Sequence, residues 1–137
     1  MVAGEGPINP KTGFHDLATV AYAYDPATNR RRTLAAMDNG RYGRLNAGVV
    51  WTGTKLLLWG GGSEALGQGI VAPHGLAYDP KRNRWHQLPG APLLPRGNAA
   101  AVWTGKSLIV WGGELSFPTT TSDTWPLMDG ATFTPIA

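Results

Sequence analysis

Arg44 and Asn46 recur 52 residues later as Arg96 and Asn98. Guanidinium and carboxamide groups in this pairing are donors suited to a carboxylate or a glycan. The repetition fits equally well a guanidinium that satisfies loop carbonyls inside its own structural unit. His74, after Pro73, offers an acid–base group or a ligand, and His15 stands in the comparable stretch before Tyr24. Only Asp16, beside His15, adds a nearby carboxylate, so no metal-ligand spacing forms and solvated loop histidines are the simpler reading. His86 follows Trp85 and reads as structural or surface. Glu5, Glu64 and Glu114 each follow a glycine-rich stretch by one to three residues. They are candidate carboxylates, although their repetition favours pairing with basic neighbours.

Other chemistries are excluded by what the sequence lacks. There is no cysteine, hence no disulfide, thiolate metal site or Cys nucleophile. No P-loop, dinucleotide fingerprint or nucleophile elbow occurs. Gly60-Gly61-Gly62 leads into a loop and not a helix, and Thr119-Thr120-Thr121-Ser122 has no phosphate-cradling glycines. No carboxylate pair or base-plus-nucleophile set is present, which argues against an enzyme and for no cofactor. The net charge is +3 and the pI about 9.5. Its arginines are dispersed, and Arg30-Arg31-Arg32 reads as a solvated hairpin turn, so a nucleic-acid partner is not expected. Met1 to Val20 has no signal-peptide pattern, and no apolar run approaches the ~20 residues of a membrane helix. Neither observation assigns a compartment.

The elements that must position these residues follow from composition and repetition. With 137 residues, 19 Gly, 11 Pro, 6 Trp and only 15% charged residues, the chain reads as one turn-rich all-β domain. Val50-Trp51-Thr52-Gly53 through Leu58-Trp59-Gly60-Gly61 recurs as Val102-Trp103-Thr104-Gly105 through Val110-Trp111-Gly112-Gly113, at a constant offset of 52. Tyr24-Asp25-Pro26 to Arg30 recurs as Tyr78-Asp79-Pro80 to Arg84 at an offset of 54, and Phe133-Thr134-Pro135 is a fainter third copy. Each element reads as a hairpin: Ala99–Trp103 with Ser107–Trp111 about Thr104-Gly105-Lys106, and Gly75–Tyr78 with Arg84–Leu88 about Asp79–Asn83. Apolar runs bounded by glycine fit strands covered on both faces. Pro80 and Asn83 suit the turn, Asn as a left-handed residue. Four strands at a period near 50 residues make the blade of a propeller.

The diglycine with a separated Tyr and Trp resembles the kelch repeat: Gly60-Gly61, Tyr78 and Trp85 in one unit, Gly112-Gly113 and Phe133 in the next. The wording of the repeats resembles bacterial kelch proteins. Tyr24 departs from the pattern, because Arg31 occupies the place of Trp85. The resemblance implies a partial kelch-type β-propeller of four-stranded antiparallel blades. Residues 1–34 would end one blade, 35–88 form a complete blade and 89–137 an incomplete next one. Val2-Ala3-Gly4-Glu5 would be the tail of an earlier second strand. Each glycine pair would let backbone pass close to a neighbouring blade, and Tyr and Trp would pack between sheets with their polar tips on backbone groups.

About two and a half blades cannot close a ring. A longer parent chain is the favoured completion. The alternative is association of copies, three of which would make six blades with Gly130–Pro135 left over. The resemblance implies loops sharing one face at 62–74, 115–129, 35–43 and 89–95, with Arg44, Asn46, Arg96 and Asn98 near a central channel. It implies a binding or scaffold module for a protein or glycan, with self-association of exposed blade faces expected. Two other readings stand beside it. One is a fragment of a sugar-acting propeller enzyme like the sialic-acid mutarotase, since galactose oxidase needs a Cys–Tyr crosslink. The other is a truncated product without independent function, its parent exported or not.

Overall fold

The computed structural model describes residues 2–3, 10, 21–37, 44–63, 70–116 and 124–135. Among these, the strands are β1 (Val2–Ala3), β2 (Ala21–Asp25), β3 (Arg30–Thr33), β4 (Gly48–Trp51), β5 (Leu56–Trp59), β6 (Gly62–Ser63) and β7 (Ile70–Val71). They continue as β8 (Leu76–Asp79), β9 (Arg84–Gln87), β10 (Ala100–Trp103), β11 (Leu108–Trp111), β12 (Glu114–Ser116), β13 (Thr124–Pro126) and β14 (Gly130–Phe133). The predicted hairpins fall within a residue of these bounds.

Local chemistry closes the turns identically in each repeat. Thr52 Oγ1 accepts from Lys55 N at 2.9 Å, and Thr104 Oγ1 from Ser107 N at 3.0 Å. Asp25 Oδ1 accepts from Ala27 N at 3.0 Å, and Asp79 Oδ1 from Lys81 N at 2.9 Å, the side-chain mimic of a backbone turn. Asn29 and Asn83 complete these turns at φ 53° and 50°. Arg30, Arg31 and Arg32 lie beyond their turn, in the outer strand β3 with exposed side chains.

The strands assemble into a complete antiparallel blade, β4-β5-β8-β9, flanked by three-stranded sheets β1-β2-β3 and β10-β11-β14. Short hairpins β6-β7 and β12-β13 extend the connection between second and third strands. Val2 pairs with Tyr22 as Leu58 pairs with Leu76, so β1 stands as the second strand of its sheet.

Alternate side chains of the central blade enter two separate cores. Leu58, Leu76 and Tyr78 pack with Ala21, Leu34 and Met37 of the first sheet side. Leu57, Trp59, Ala77 and Leu88 pack with Leu108 and Val110 of the third sheet. Strand β5 and the Leu76–Tyr78 stretch of β8 are therefore apolar, as expected of strands covered on both faces. In the outer sheets β11 alternates buried with exposed residues, whereas β3 is exposed throughout. The Tyr78 and Trp85 rings pack against each other tilted by 42°, with centroids 4.9 Å apart. Trp85 Nε1 donates to Ala35 O at 2.8 Å, as a polar tip on backbone should. Tyr78 instead donates to Asn83 Oδ1 at 2.7 Å, and that oxygen also accepts from Ala35 N at 3.1 Å.

Gly60 and Gly112 share φ 65° and the same place after the second strand. A Cβ at Gly60 would strike the carbonyl oxygen of Arg96 in the following unit, whereas at Gly112 the nearest atom is Leu127 O at 3.5 Å. The left-handed backbone is common to both positions, so the pair isolates the close approach between blades. Gly112→Ala is expected to cost about 1 kcal/mol from backbone conformation alone, and Gly60→Ala about 2 kcal/mol more. Urea unfolding of the two variants measures the difference, and equal costs would show that the approach carries no strain.

Candidate functional site

An antiparallel four-stranded meander brings the connection between second and third strands to the same end as the links between blades. Two bridges fix this end: Leu45 opposite Gly62 and Gly97 opposite Glu114, again 52 residues apart. Arg44, Asn46, His74, Arg96 and Asn98 all come to it.

The two arginines point inward. Arg44 is buried, with Nη1 donating to Gly60 O at 2.9 Å and His74 O at 2.8 Å. Arg96 is fully buried; Nε donates to Leu94 O at 2.9 Å and Nη1 to Gly112 O at 3.1 Å. Gly60 and Gly112 carbonyls leave the sheet ladder at the left-handed residue, and a buried carbonyl needs a donor. The guanidinium forks meet that need within their own blades. Arg96 also grips Asp129, Nη1 to Oδ1 at 2.6 Å and Nη2 to Oδ2 at 3.2 Å. His74 and Asp129 hold equivalent positions, each directly before the glycine that leads into the third strand. The sequence alone did not single out Asp129; its place before Gly130, matching His74 before Gly75, is the signal that could have.

Asn46 and Asn98 have φ 57° and 54°, and Asn98 N donates to Asn46 O at 3.0 Å across the blade boundary. Asparagine is among the few residues that adopt this conformation readily, which gives both positions a backbone reason. The Asn98 side chain is exposed and donates to Glu114 Oε1. Glu114 thus pairs with a neutral neighbour at this contact. Glu5, His15, Asp16, Glu64 and Thr119–Ser122 lie outside the described residues. Among the described residues, no group of three or more His, Asp or Glu could hold a metal ion, and no helix is long and apolar enough to cross a membrane.

Large apolar side chains also come to this end: Leu94 in the link between blades, Trp125 in β13, and Met128, which is 87% exposed. Arg96 ties the link at Leu94 to Asp129, the residue after Met128, by holding Leu94 O and the Asp129 carboxylate at once.

Hydrogen bonds from Arg96 hold the Asp129 carboxyl below its ordinary 3.8, outweighing desolvation, which pushes it up. A depressed folded pKa stabilises the fold above the unfolded value and ceases to do so as pH falls through the folded one. The melting-temperature gap between the parent protein and Asp129→Asn should therefore be open at pH 7 and close progressively below about pH 4. Arg96→Met should cost about 3 kcal/mol, because it leaves the Leu94, Gly112 and Asp129 carbonyls without their donor. Arg96→Lys should restore less than half of that, since a single ammonium cannot reproduce the fork. Denaturant titrations check both values.

No family model matches the chain. It is similar to Kelch-like protein 25 of Xenopus tropicalis, 33% identical over 116 residues, a match covering 85% of this chain. The chain spans 18% of that relative's length. This similarity points to the kelch-repeat family, in agreement with the diglycines and with the Tyr78–Trp85 ring contact. Repeat, blade topology and similarity converge on one description: the chain folds as a partial β-propeller of the kelch type.

Proposed function

We propose that this chain is a protein-binding module that recognises its ligand through the loop end carrying Leu94, Trp125 and Met128. The observation behind the proposal is the exposure of these three side chains beside a clamped backbone. Trp and Met are enriched in protein interfaces, and a rigid platform lowers the entropy lost on binding. The similarity to a kelch-like protein supports a scaffold role at family level. The guanidiniums of Arg44 and Arg96 then act as positioning groups for the loops, since they donate to backbone in their own blades. A sugar-acting enzyme fragment is the weaker reading for the same reason.

Glycan recognition has one observation in its favour, the exposed Asn98–Glu114 pair, which presents donor and acceptor side by side. Panning a displayed peptide library and probing a glycan array with the same protein separates the two. The expected outcome is a set of enriched peptides whose binding falls about ten-fold or more in Trp125→Ala/Met128→Ser, with the melting temperature unchanged. Selection of arrayed glycans without peptides, lost in Asn98→Ala, would overturn the protein-binding reading.

A further inference from the structure

Strand β9 is the outer edge of the four-stranded blade β4-β5-β8-β9, and among the described residues no strand pairs beyond it. The sheets on either side cover the faces of this blade and leave its edge alone. The register fixes which backbone groups remain over. Leu88 N donates to Gly75 O at 2.9 Å, and hydrogen-bonded pairs alternate with non-bonded ones along an antiparallel ladder. His86 opposite Ala77 and Arg84 opposite Asp79 are therefore the bonded pairs, and the N–H and C=O groups of Trp85 and Gln87 point out of the sheet. The same two residues line an open groove beside the link that follows β3, together with Ala35, Ala36, Asn83 and Arg84. Trp85 Nε1 on Ala35 O and Ala35 N on Asn83 Oδ1 fix its two walls relative to one another.

The charge of the molecule gathers at these outer strands. Residues 24–33 and 78–87 hold Arg30, Arg31, Arg32, Lys81, Arg82 and Arg84 against Asp25 and Asp79, six cations to two carboxylates, an excess larger than the net +3 of the whole chain. Both carboxylates are engaged in their own turns, Asp25 with Ala27 N and the Thr28 hydroxyl, Asp79 with Lys81 N and the Arg82 guanidinium. Arg30, Arg31, Arg32 and Arg84 are exposed, and among the described residues none of them has an ion-pair partner. Arginines on a free edge repel edges of the same sign and favour a strand of the opposite one. We infer that β9 takes up an extended acidic segment of a partner protein as a fifth strand of the central blade, its backbone bonded to Trp85 and Gln87 and its carboxylates in the field of Arg84 and of the β3 arginines. Such pairing draws affinity from main-chain hydrogen bonds and specificity from alternate side chains. Donors and acceptors alternate along this edge as a strand requires, whereas a polynucleotide would use the donors alone. The site is separate from the loop end carrying Leu94, Trp125 and Met128, and it stands without that reading.

The probe is a short fluorescent peptide of alternating Glu and Thr, followed by anisotropy, with melting curves confirming that each variant folds. Arg84→Glu should weaken its binding about ten-fold or more. Gln87→Pro removes one outward N–H and no charge, and an edge strand tolerates proline where the N–H faces solvent. It should weaken binding roughly five-fold or more. The same peptide N-methylated throughout should bind as weakly, a test that leaves the protein unaltered. Undiminished binding in any of the three would overturn the inference. So would equal binding of a single-stranded oligonucleotide, the mark of attraction by charge alone, or no binding of the peptide by the parent protein.

Discussion

The buried guanidinium of Arg96, and of Arg44 one repeat earlier, is what the loop end of each blade depends on. A second strand that ends in a left-handed glycine turns its carbonyl away from the sheet, and no neighbouring strand can satisfy it. The fork reaches that carbonyl and, with the same head group, one at the start of the third strand. Three stretches far apart in sequence are thereby fixed relative to one another: the start of the inner strand, the end of the second and the start of the third. A lysine or a neutral donor could reach one of these oxygens but not several in a plane. The segment that carries Trp125 and Met128 is tied down beside this contact by the β12–β13 pairing and by Leu127 N donating to Gly113 O.

Between blades, the controlling term is coverage of apolar area. The central sheet sends alternate side chains into two cores, and neither core belongs to one blade. Specific contacts then set the spacing. Gly61 N donates to Arg96 O at 3.0 Å, and Trp85 Nε1 reaches back to Ala35 O. Because the Trp85 ring packs tilted against Tyr78 while its N–H reaches the link that follows the first sheet, a single aromatic pair serves both the blade and its junction.

Much of this was legible in the sequence, and the reason is physical: a repeat must solve the same steric problem each time it occurs. Gly60-Gly61 and Gly112-Gly113, Asp25 and Asp79, Asn29 and Asn83 recur because the backbone they serve recurs. The two readings open for Arg44 and Arg96 could not be separated without coordinates, since a ligand and a loop carbonyl ask for the same donor. Which copy of a repeated position is buried was not legible. Trp59 and Trp111 have nearly identical neighbours in sequence, and their surroundings are decided by which sheet comes next. The short hairpins β6-β7 and β12-β13 escaped notice because strands of two or three residues carry no periodicity. Arg30–Arg32 were misplaced into the turn because charged residues on an outer strand look like loop.

The division of the core into two separate halves has a consequence for how the molecule opens. Only the central blade is clasped from both sides; each outer sheet has a described neighbour on one side alone. In a stack whose units touch only adjacent units, stability accumulates from neighbour to neighbour. Amide protons of β5 and β8 should then exchange with solvent most slowly, and those of the outer sheets faster, with the outer sheets peeling off while the centre persists.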